Sequence, residues 1–377
     1  MCIVFFHVGQ PEDPYALIVA SNRDEFLARP TTSAAWHGWS SDSASATSAE
    51  PTPSNRVLSG LDLTAGGTWF GVSLPPFQSA TPSHERLSLR FATLTNFTEV
   101  IPPAPRPSRG NLTREFLDLD LRSPGSASTS TSLEEYLSAV EAVKQQYAGF
   151  NLLVGEIFLP FPSPAASSSS NPLSPPQVRL AYISNRETSP SKRARILEPA
   201  SAGKKTVRGL SNATLEVEEG EEEWPKVKSG AEAVEEVVKK LGAAYAEVTE
   251  DQLADGLYEA LSTPHASPIT HRAHLRHTVL VRPLCLDPSL PLPAVPPPLP
   301  PPSSAPSNPI AAKPWEQIAN GKKENEDGCH WYGTRVQTLL LVRRDGTVVL
   351  RERDAYELSE VGRPRWSGKE RRFEFRL

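Results

Sequence analysis

Cysteine is scarce in this sequence: the 377 residues hold three, Cys2, Cys285 and Cys329, and none belongs to a Cys-x-x-Cys pair. An odd, low count argues against a disulfide framework and favours a reducing compartment. Long hydrophobic runs are also missing, since no stretch approaches the roughly 20 apolar residues of a membrane helix. The opening run CIVFF is too short for a signal-peptide core and lacks a basic leader. We therefore expect a cytoplasmic protein without a membrane-spanning segment.

An excess of positive charge is lacking as well. Lys and Arg total 39 against 44 Asp and Glu, a net charge of −5, so no nucleic-acid partner is expected. Histidines recur at steps of three in THRAHLRH (270–277), but no carboxylate or cysteine pattern completes a zinc site. We interpret that run as a solvated basic face, and we expect neither a metal nor a resident cofactor.

Proline is abundant, with 38 residues, and it is concentrated in Ser/Pro-rich tracts. Such tracts bury too little apolar surface to offset their chain entropy, so we interpret them as flexible insertions. The rest of the chain, 1–377, is expected to form a single domain. The insertions are 40–54, 123–132, 160–176 and 287–309.

Strand patterns dominate between the insertions, and helical periodicity is confined to a few segments. The motif Ser132-Leu133-Glu134-Glu135 is a capping box that predicts a helix over the following residues. Many strands and few helices predict an α+β architecture of layered, mostly antiparallel sheets. The predicted strands are Cys2–Val8, Ala16–Ser21, Gly67–Ser73, Phe91–Asn96, Phe150–Ile157, Val178–Ser184, Thr278–Arg282, Gln337–Arg343 and Thr347–Arg353, and the other predicted helices are Leu112–Leu119, Trp224–Val248 and Gln252–Leu261.

Cys2 is the first candidate for chemistry. If Met1 is trimmed, Cys2 carries both a thiol and a free α-amine, and an amine with a pKa of about 7.7–8.0 can accept the thiol proton near neutral pH. The alternative is a small buried residue that starts a strand. A polar quartet, Asn22-Arg23-Asp24-Glu25, ends the strand that we expect to pair with the one beginning at Cys2. Its guanidinium would favour the thiolate and a carboxylate would hold the amine; the alternative is a polar hairpin turn.

Three further polar residues follow or precede apolar segments. Asn96 and Asn212 each end such a segment, where an amide could donate to an oxyanion or merely cap a strand. Arg335, in Tyr-Gly-Thr-Arg, precedes a long apolar strand and is a candidate for binding a substrate carboxylate or for ending the strand.

A series of blocks resembles the NRDE family, also called the transport and Golgi organisation 2 proteins. The blocks are MCIVFF, ASNRDEFLARP, LSGLDLTAGGTWFGVS, TLTNF, SRGNLTREFL, GFNLLVGE, GLSNA and YGTRVQTLLLVRRDGTVVLRER, and they span the chain from Met1 to about Arg353. The departures are the Ser/Pro tracts and an acidic run, which lie between the blocks.

The resemblance implies a four-layer αββα sandwich of the N-terminal nucleophile (Ntn) hydrolase type, with a more distant likeness to penicillin acylases and bile-salt hydrolases. It implies that Cys2 is the nucleophile, that Arg23 and Asp24 belong to the site, that Asn212 is the oxyanion-hole amide and that Arg335 is the late arginine. Asn96 and Asn22 are added as oxyanion or substrate-binding candidates. The spacing of the arginine and the aspartate differs in the distant group.

Two functions remain open at this point. One is a cysteine-dependent hydrolase of a small linear amide. The other is a non-catalytic carrier or scaffold for haem or lipid in secretory or mitochondrial trafficking, with haem as cargo. The family association with Golgi organisation and secretion implies protein partners at the Golgi or at mitochondria and a location peripheral to them.

Overall fold

The computed structural model describes residues 2–39, 47–75, 85–97, 106–119, 132–160, 177–187, 193–198, 206–216, 222–244, 248–286 and 330–377. Within these residues, the strands form two seven-stranded sheets and one two-stranded sheet, and every strand pairing is antiparallel. The predicted α+β class with two mostly antiparallel sheets is confirmed.

The first sheet holds the N-terminal strand next to one of its edge strands. Its order is β10 (Val207–Leu210), β1 (Ile3–Val8), β2 (Tyr15–Phe26), β12 (Trp331–Arg343), β13 (Thr347–Asp354) and β16 (Glu370–Arg376), and β11 (Leu284–Cys285) pairs with β12 outside this path.

The second sheet follows chain order. It consists of β3 (Ala35–His37), β4 (Val57–Ser59), β5 (Phe70–Ser73), β6 (Glu85–Asn96), β7 (Phe150–Pro160), β8 (Gln177–Ser184) and β9 (Arg195–Leu197). A separate small sheet pairs β14 (Tyr356–Leu358) with β15 (Pro364–Trp366).

Alternation along β1 shows how the two faces of the first sheet are used. Val4 and Phe6 pack in a core between the sheets, together with Phe91 and Leu153 of the second sheet. Ile3 and Phe5, which point the other way, belong to a different core. Successive strand residues face opposite sides of a sheet, so both faces of this strand are buried.

Helices cover the outer face of each sheet. Helices α3 (Pro225–Ala244) and α4 (Glu250–Leu261) share a core with the first sheet, and α1 (Gly110–Leu117) and α2 (Leu133–Val143) share one with the second. The layers therefore follow the order helix, sheet, sheet, helix. None of the described helices is long and apolar enough to cross a bilayer.

Most sequence-based element predictions are confirmed to within a few residues. The capping box is present, since the Ser132 side chain accepts from Glu135 N and the Glu135 carboxylate accepts from Ser132 N at 2.9 Å. The predicted strand Thr278–Arg282 is wrong. In that buried apolar run Leu280 N donates to Thr263 O and Val281 N to Thr334 Oγ1, and the run joins no strand ladder within the described part of the chain.

Most of the predicted insertions lie outside the described residues: 40–46, 123–131, 161–176 and 287–309. The described part of the first tract, 47–54, holds a single antiparallel bridge, in which Ser48 N and O exchange hydrogen bonds with Trp36.

Candidate active site

The pairing of β1 with β2 brings the start of the chain to the polar quartet. Ile3 lies opposite Asn22 in the register, so Cys2 precedes the paired segment at the point where the quartet begins. The Cys2 thiol lies 3.8 Å from the Asp24 carbonyl, to which it donates. The quartet continues β2 to Phe26 and pairs with β12, so it belongs to a strand and is not a hairpin turn.

A polar cavity of about 120 Å³ opens beside the thiol. Most of its wall carries charge or hydrogen-bonding groups, and Trp69 and Leu94 supply apolar surface. The residues that line it are Cys2, Arg23, Asp24, Glu25, Arg29, Asp62, Thr68, Trp69, Leu94, Asn96, Ser108, Arg109 and Gly110.

The thiol is half-buried, and burial raises the pKa of Cys2. The Asp24 carboxylate adds to this effect, while Arg23 lowers the pKa as the sequence predicts. Desolvation disfavours the thiolate more than the nearby guanidinium favours it. Reactivity at neutral pH therefore needs a base that accepts the thiol proton.

The Arg23 guanidinium lies over an aromatic ring. Its Cζ lies 4.0 Å from the centroid of the Trp69 ring, and the side chain is only 5% exposed. Nη2 lies 3.8 Å from Glu25 Oε2, whereas buried Nη1 has no hydrogen-bond partner among the described residues. Trp69 lies half-buried on the cavity wall and packs against the core between the sheets.

Asp24 is fixed by β12. Its Oδ1 accepts from Thr334 Oγ1 at 2.6 Å, and its carbonyl accepts from the Tyr332 hydroxyl at 3.1 Å. On the helix side, Lys226 at the start of α3 is completely buried and interacts electrostatically with Asp24 and Cys2. Burial lowers the pKa of Lys226 to about 8, although both of those groups oppose the shift.

The remaining charges of the cavity are partly paired. Arg29 forms two hydrogen bonds to Asp62 Oδ2, at 3.0 and 2.8 Å, and this guanidinium helps to hold the pKa of Asp62 below its usual range. Arg109 donates to the Gly149 carbonyl at 3.0 Å, and burial lowers its pKa while Glu25 and Cys2 oppose the shift.

Asn212 lies close to Cys2, but its amide is engaged. Ser211 Oγ donates to the Cys2 carbonyl at 2.8 Å, and the Asn212 Nδ2 group donates to the Asn96 carbonyl. Asn96 itself lines the cavity, and its Oδ1 is buried without a hydrogen-bond partner in the described structure. Asn96 therefore contributes to the cavity wall, whereas the Asn212 Nδ2 group is used in a hydrogen bond within the protein.

Asn22 and Arg335 lie near the cavity but do not line it. Asn22 is buried and donates to the carbonyls of Leu261 and Val279, at 2.8 and 3.0 Å, which gives it a structural role under α4. Arg335 occupies a register irregularity within β12 and donates to the Arg29 carbonyl. Burial, aided by Arg23, lowers its pKa to about 10.

Sequence reasoning missed Lys226 and Arg109 as members of this region. The block SRGNLTREFL, which is part of the resemblance, contained Ser108, Arg109 and Gly110 and could have identified the second of these. Nothing in the sequence identified Lys226 as part of this region, because a lysine in a first helical turn is usually solvated. The histidine run, interpreted as a solvated face, lies in a 3₁₀ helix (Arg272–His277) in which His274 is buried.

The described residues contain no group of three or more His, Cys, Asp or Glu side chains arranged to hold a metal ion.

Together, the layers and the cavity define a helix–sheet–sheet–helix protein with a cysteine in a charged pocket where its first two strands meet. A family model described as "Transport and Golgi organisation 2" matches residues 1–357, and the chain belongs to that family. It is similar to the Transport and Golgi organization protein 2 homolog of Bos taurus, with 28% identity over 360 residues, which cover 94% of this chain and 92% of the bovine protein. The Homo sapiens homolog is 26% identical with the same coverage. The Drosophila melanogaster protein of that name is 30% identical over 122 residues, which are 31% of this chain and 35% of that protein.

Proposed function

We propose that this member of the transport and Golgi organisation 2 family is a cysteine-dependent amide hydrolase with Cys2 as its N-terminal nucleophile. The observation that carries the proposal is that Cys2, Arg23, Asp24 and Asn96 share one polar cavity. The resemblance to Ntn hydrolases supports the same assignment, because that class uses an N-terminal residue as both nucleophile and base.

The reaction would need removal of Met1. The freed α-amine takes the thiol proton, sulfur attacks the amide carbonyl and the Asn96 amide stabilises the oxyanion. The C–N bond breaks as the α-ammonium returns the proton to the leaving amine. Water then attacks the thioester and releases a carboxylic acid and the free thiol. Asp24, anchored by Thr334, would hold the α-amine in place.

The cavity lining favours this reading over a haem or lipid carrier. Among the described residues that line it, only Trp69 and Leu94 offer large apolar side chains, while six are ionisable Asp, Glu or Arg. Carriers of haem or acyl chains need extensive apolar walls, because burial of apolar surface supplies most of the affinity. The names of the family and of the relatives support a role in transport and Golgi organisation, which we propose is exercised through protein partners at the Golgi.

The first prediction tests the nucleophile. Intact mass of the purified protein should show that Met1 is absent, and p-nitrophenyl acetate should leave one acetyl group on the N-terminal cysteine peptide. Turnover of a panel of acyl p-nitroanilides should fall by about a thousandfold or more in Cys2→Ser, because the nucleophile is lost.

A matched control separates the thiol from the amine. Inserting a glycine between Met1 and Cys2 keeps the thiol but moves the free α-amine to the glycine, so acylation should be lost. Retention of Met1 in the wild type, or equal acylation of the wild type and the insertion variant, would refute the proposed mechanism.

A further inference from the structure

We infer that Arg23, supported by Arg109, forms an anion subsite beside Cys2 that takes a carboxylate. The inference rests on the proposed function in one respect: if the protein is an amide hydrolase, its substrate is an amide that bears a carboxylate close to the scissile bond.

The unused hydrogen-bonding capacity of Arg23 points to a ligand. A buried guanidinium normally uses its donors, and a buried donor without a partner costs free energy. Nη1 of Arg23 is buried and has no partner among the described residues, on a side chain that lines the cavity. The Trp69 ring, with its centroid 4.0 Å from Cζ, restrains the position of the guanidinium, and a positioned guanidinium favours two-pronged recognition of a carboxylate.

The net charge around the cavity favours the binding of one anion. Arg29 is paired with Asp62 at 2.8 Å, and Asp24 bonds Thr334 and interacts with Lys226. Glu25 lies 3.8 Å from both Arg23 and Arg29, too far for a hydrogen bond to either. Arg23 itself interacts electrostatically with both Glu25 and Asp62. When buried Lys226 is counted with the described lining residues, four cationic groups face three carboxylates, a surplus of about one positive charge while the thiol is protonated.

The position of the subsite sets the substrate class. Arg23 and Cys2 line the same cavity of about 120 Å³, so a carboxylate on Arg23 and a carbonyl at the thiol must belong to one small molecule. Arg109 interacts electrostatically with Cys2 and Glu25 and lies on the same wall. Small amides with a neighbouring carboxylate meet this requirement, and long apolar chains do not.

Alkylation of Cys2 tests the subsite without any turnover. Iodoacetate carries a carboxylate, and iodoacetamide is its neutral counterpart. With either reagent the Cys2 sulfur attacks the CH2 carbon and iodide leaves. The ratio of the two rates, measured on the N-terminal peptide, should be at least about tenfold higher in the wild type than in Arg23→Gln, because a charge-assisted hydrogen bond is lost. Arg376→Gln, at an exposed arginine beside the distant β12–β13 turn, should keep the wild-type ratio.

Competition gives a second readout that needs no variant. Acetate, but not acetamide, should slow the alkylation of wild-type Cys2 by iodoacetamide in a saturable manner. Equal rate ratios in the wild type and folded Arg23→Gln, or no difference between acetate and acetamide, would overturn the subsite. A carboxylate preference without hydrolysis of any amide would support the subsite and refute the proposed hydrolase. Hydrolysis of neutral amides without that preference would support the hydrolase and refute the subsite.

Discussion

At the residue scale, Lys226 departs most from what its type suggests. It is completely buried at the first turn of α3, beside the ring of Trp224, with its Nζ 5.8 Å from the ring centroid. Burial lowers its pKa from the usual 10.5 to about 8, and the opposing effects of Asp24 and Cys2 do not restore it. Burying the ammonium therefore costs free energy at neutral pH.

Lys226 predicts a pH dependence of stability. Its folded-state pKa is depressed, so between about pH 8 and 10.5 the unfolded chain holds a proton that the folded chain has released, and stability rises with pH across that window. Relative to Lys226→Met, the wild type should gain of the order of 3 kcal/mol in free energy of unfolding across the window. Urea denaturation of both proteins at about pH 7 and about pH 10 measures this difference.

Lys226→Arg is the control, because a guanidinium stays charged and should show no such gain. A difference between the wild type and Lys226→Met that does not change with pH would show that Lys226 keeps an ordinary pKa.

At the element scale, β7 ties the two sheets together next to the site. Asn151 of β7 donates to the carbonyls of Ser211 and Ala213, both at 2.9 Å, in the loop that follows β10 of the other sheet. Its Oδ1 accepts from the Tyr182 hydroxyl at 2.7 Å. Ser211 in turn donates to the Cys2 carbonyl, so one amide links the second sheet to the nucleophile.

Asn151→Ala should destabilise the protein by about 3 kcal/mol, because it removes three hydrogen bonds to buried groups, the carbonyls of Ser211 and Ala213 and the Tyr182 hydroxyl. Tyr182→Phe, which removes fewer hydrogen bonds, should cost about 1 kcal/mol. Urea denaturation of both variants provides the comparison, and a similar loss in the two would show that Asn151 does not act as the link.

At the scale of the whole molecule, the residues that flank two of the Ser/Pro-rich tracts already lie next to each other in the fold. Leu286 N donates to the His330 carbonyl at 3.0 Å, across the segment that contains 287–309. The strands on either side of 161–176 are neighbours, since Phe158 pairs with Gln177. Each segment therefore connects points that the sheets hold together without it.

Deleting 287–309 and replacing 161–176 with a short Gly-Ser linker should leave a cooperative melting transition. Loop-closure entropy changes slowly with length, so the free energy of unfolding should change by less than about 1 kcal/mol. Calorimetry tests this; a broadened transition or a much lower midpoint would show that the tracts pack against the sheets.

Local sequence patterns were sufficient to predict the long strands and helices but not the short strands. Strands such as β2 and β12 show extended apolar runs, and the capping box at Ser132 is a local signal. Strands β3 and β4 have three residues each, which is too short for a period of two to be recognised. Thr278–Arg282 misled because a buried apolar run resembles a strand even where no neighbour offers a ladder.

The sequence alone was enough to predict that Cys2 lies beside the quartet, because two adjacent strands joined by a turn form an antiparallel pair. It also determined the class of fold. The chemistry around the thiol depends on the tertiary structure, which bonds Asn212 to the Asn96 carbonyl and brings Arg109 and Lys226 to the site. It also places Arg23, whose buried Nη1 has no partner among the described residues, on the cavity wall. It also reversed the expected direction of the Cys2 pKa, because desolvation depends on everything packed around the sulfur, whereas sequence spacing reveals only the nearest charges.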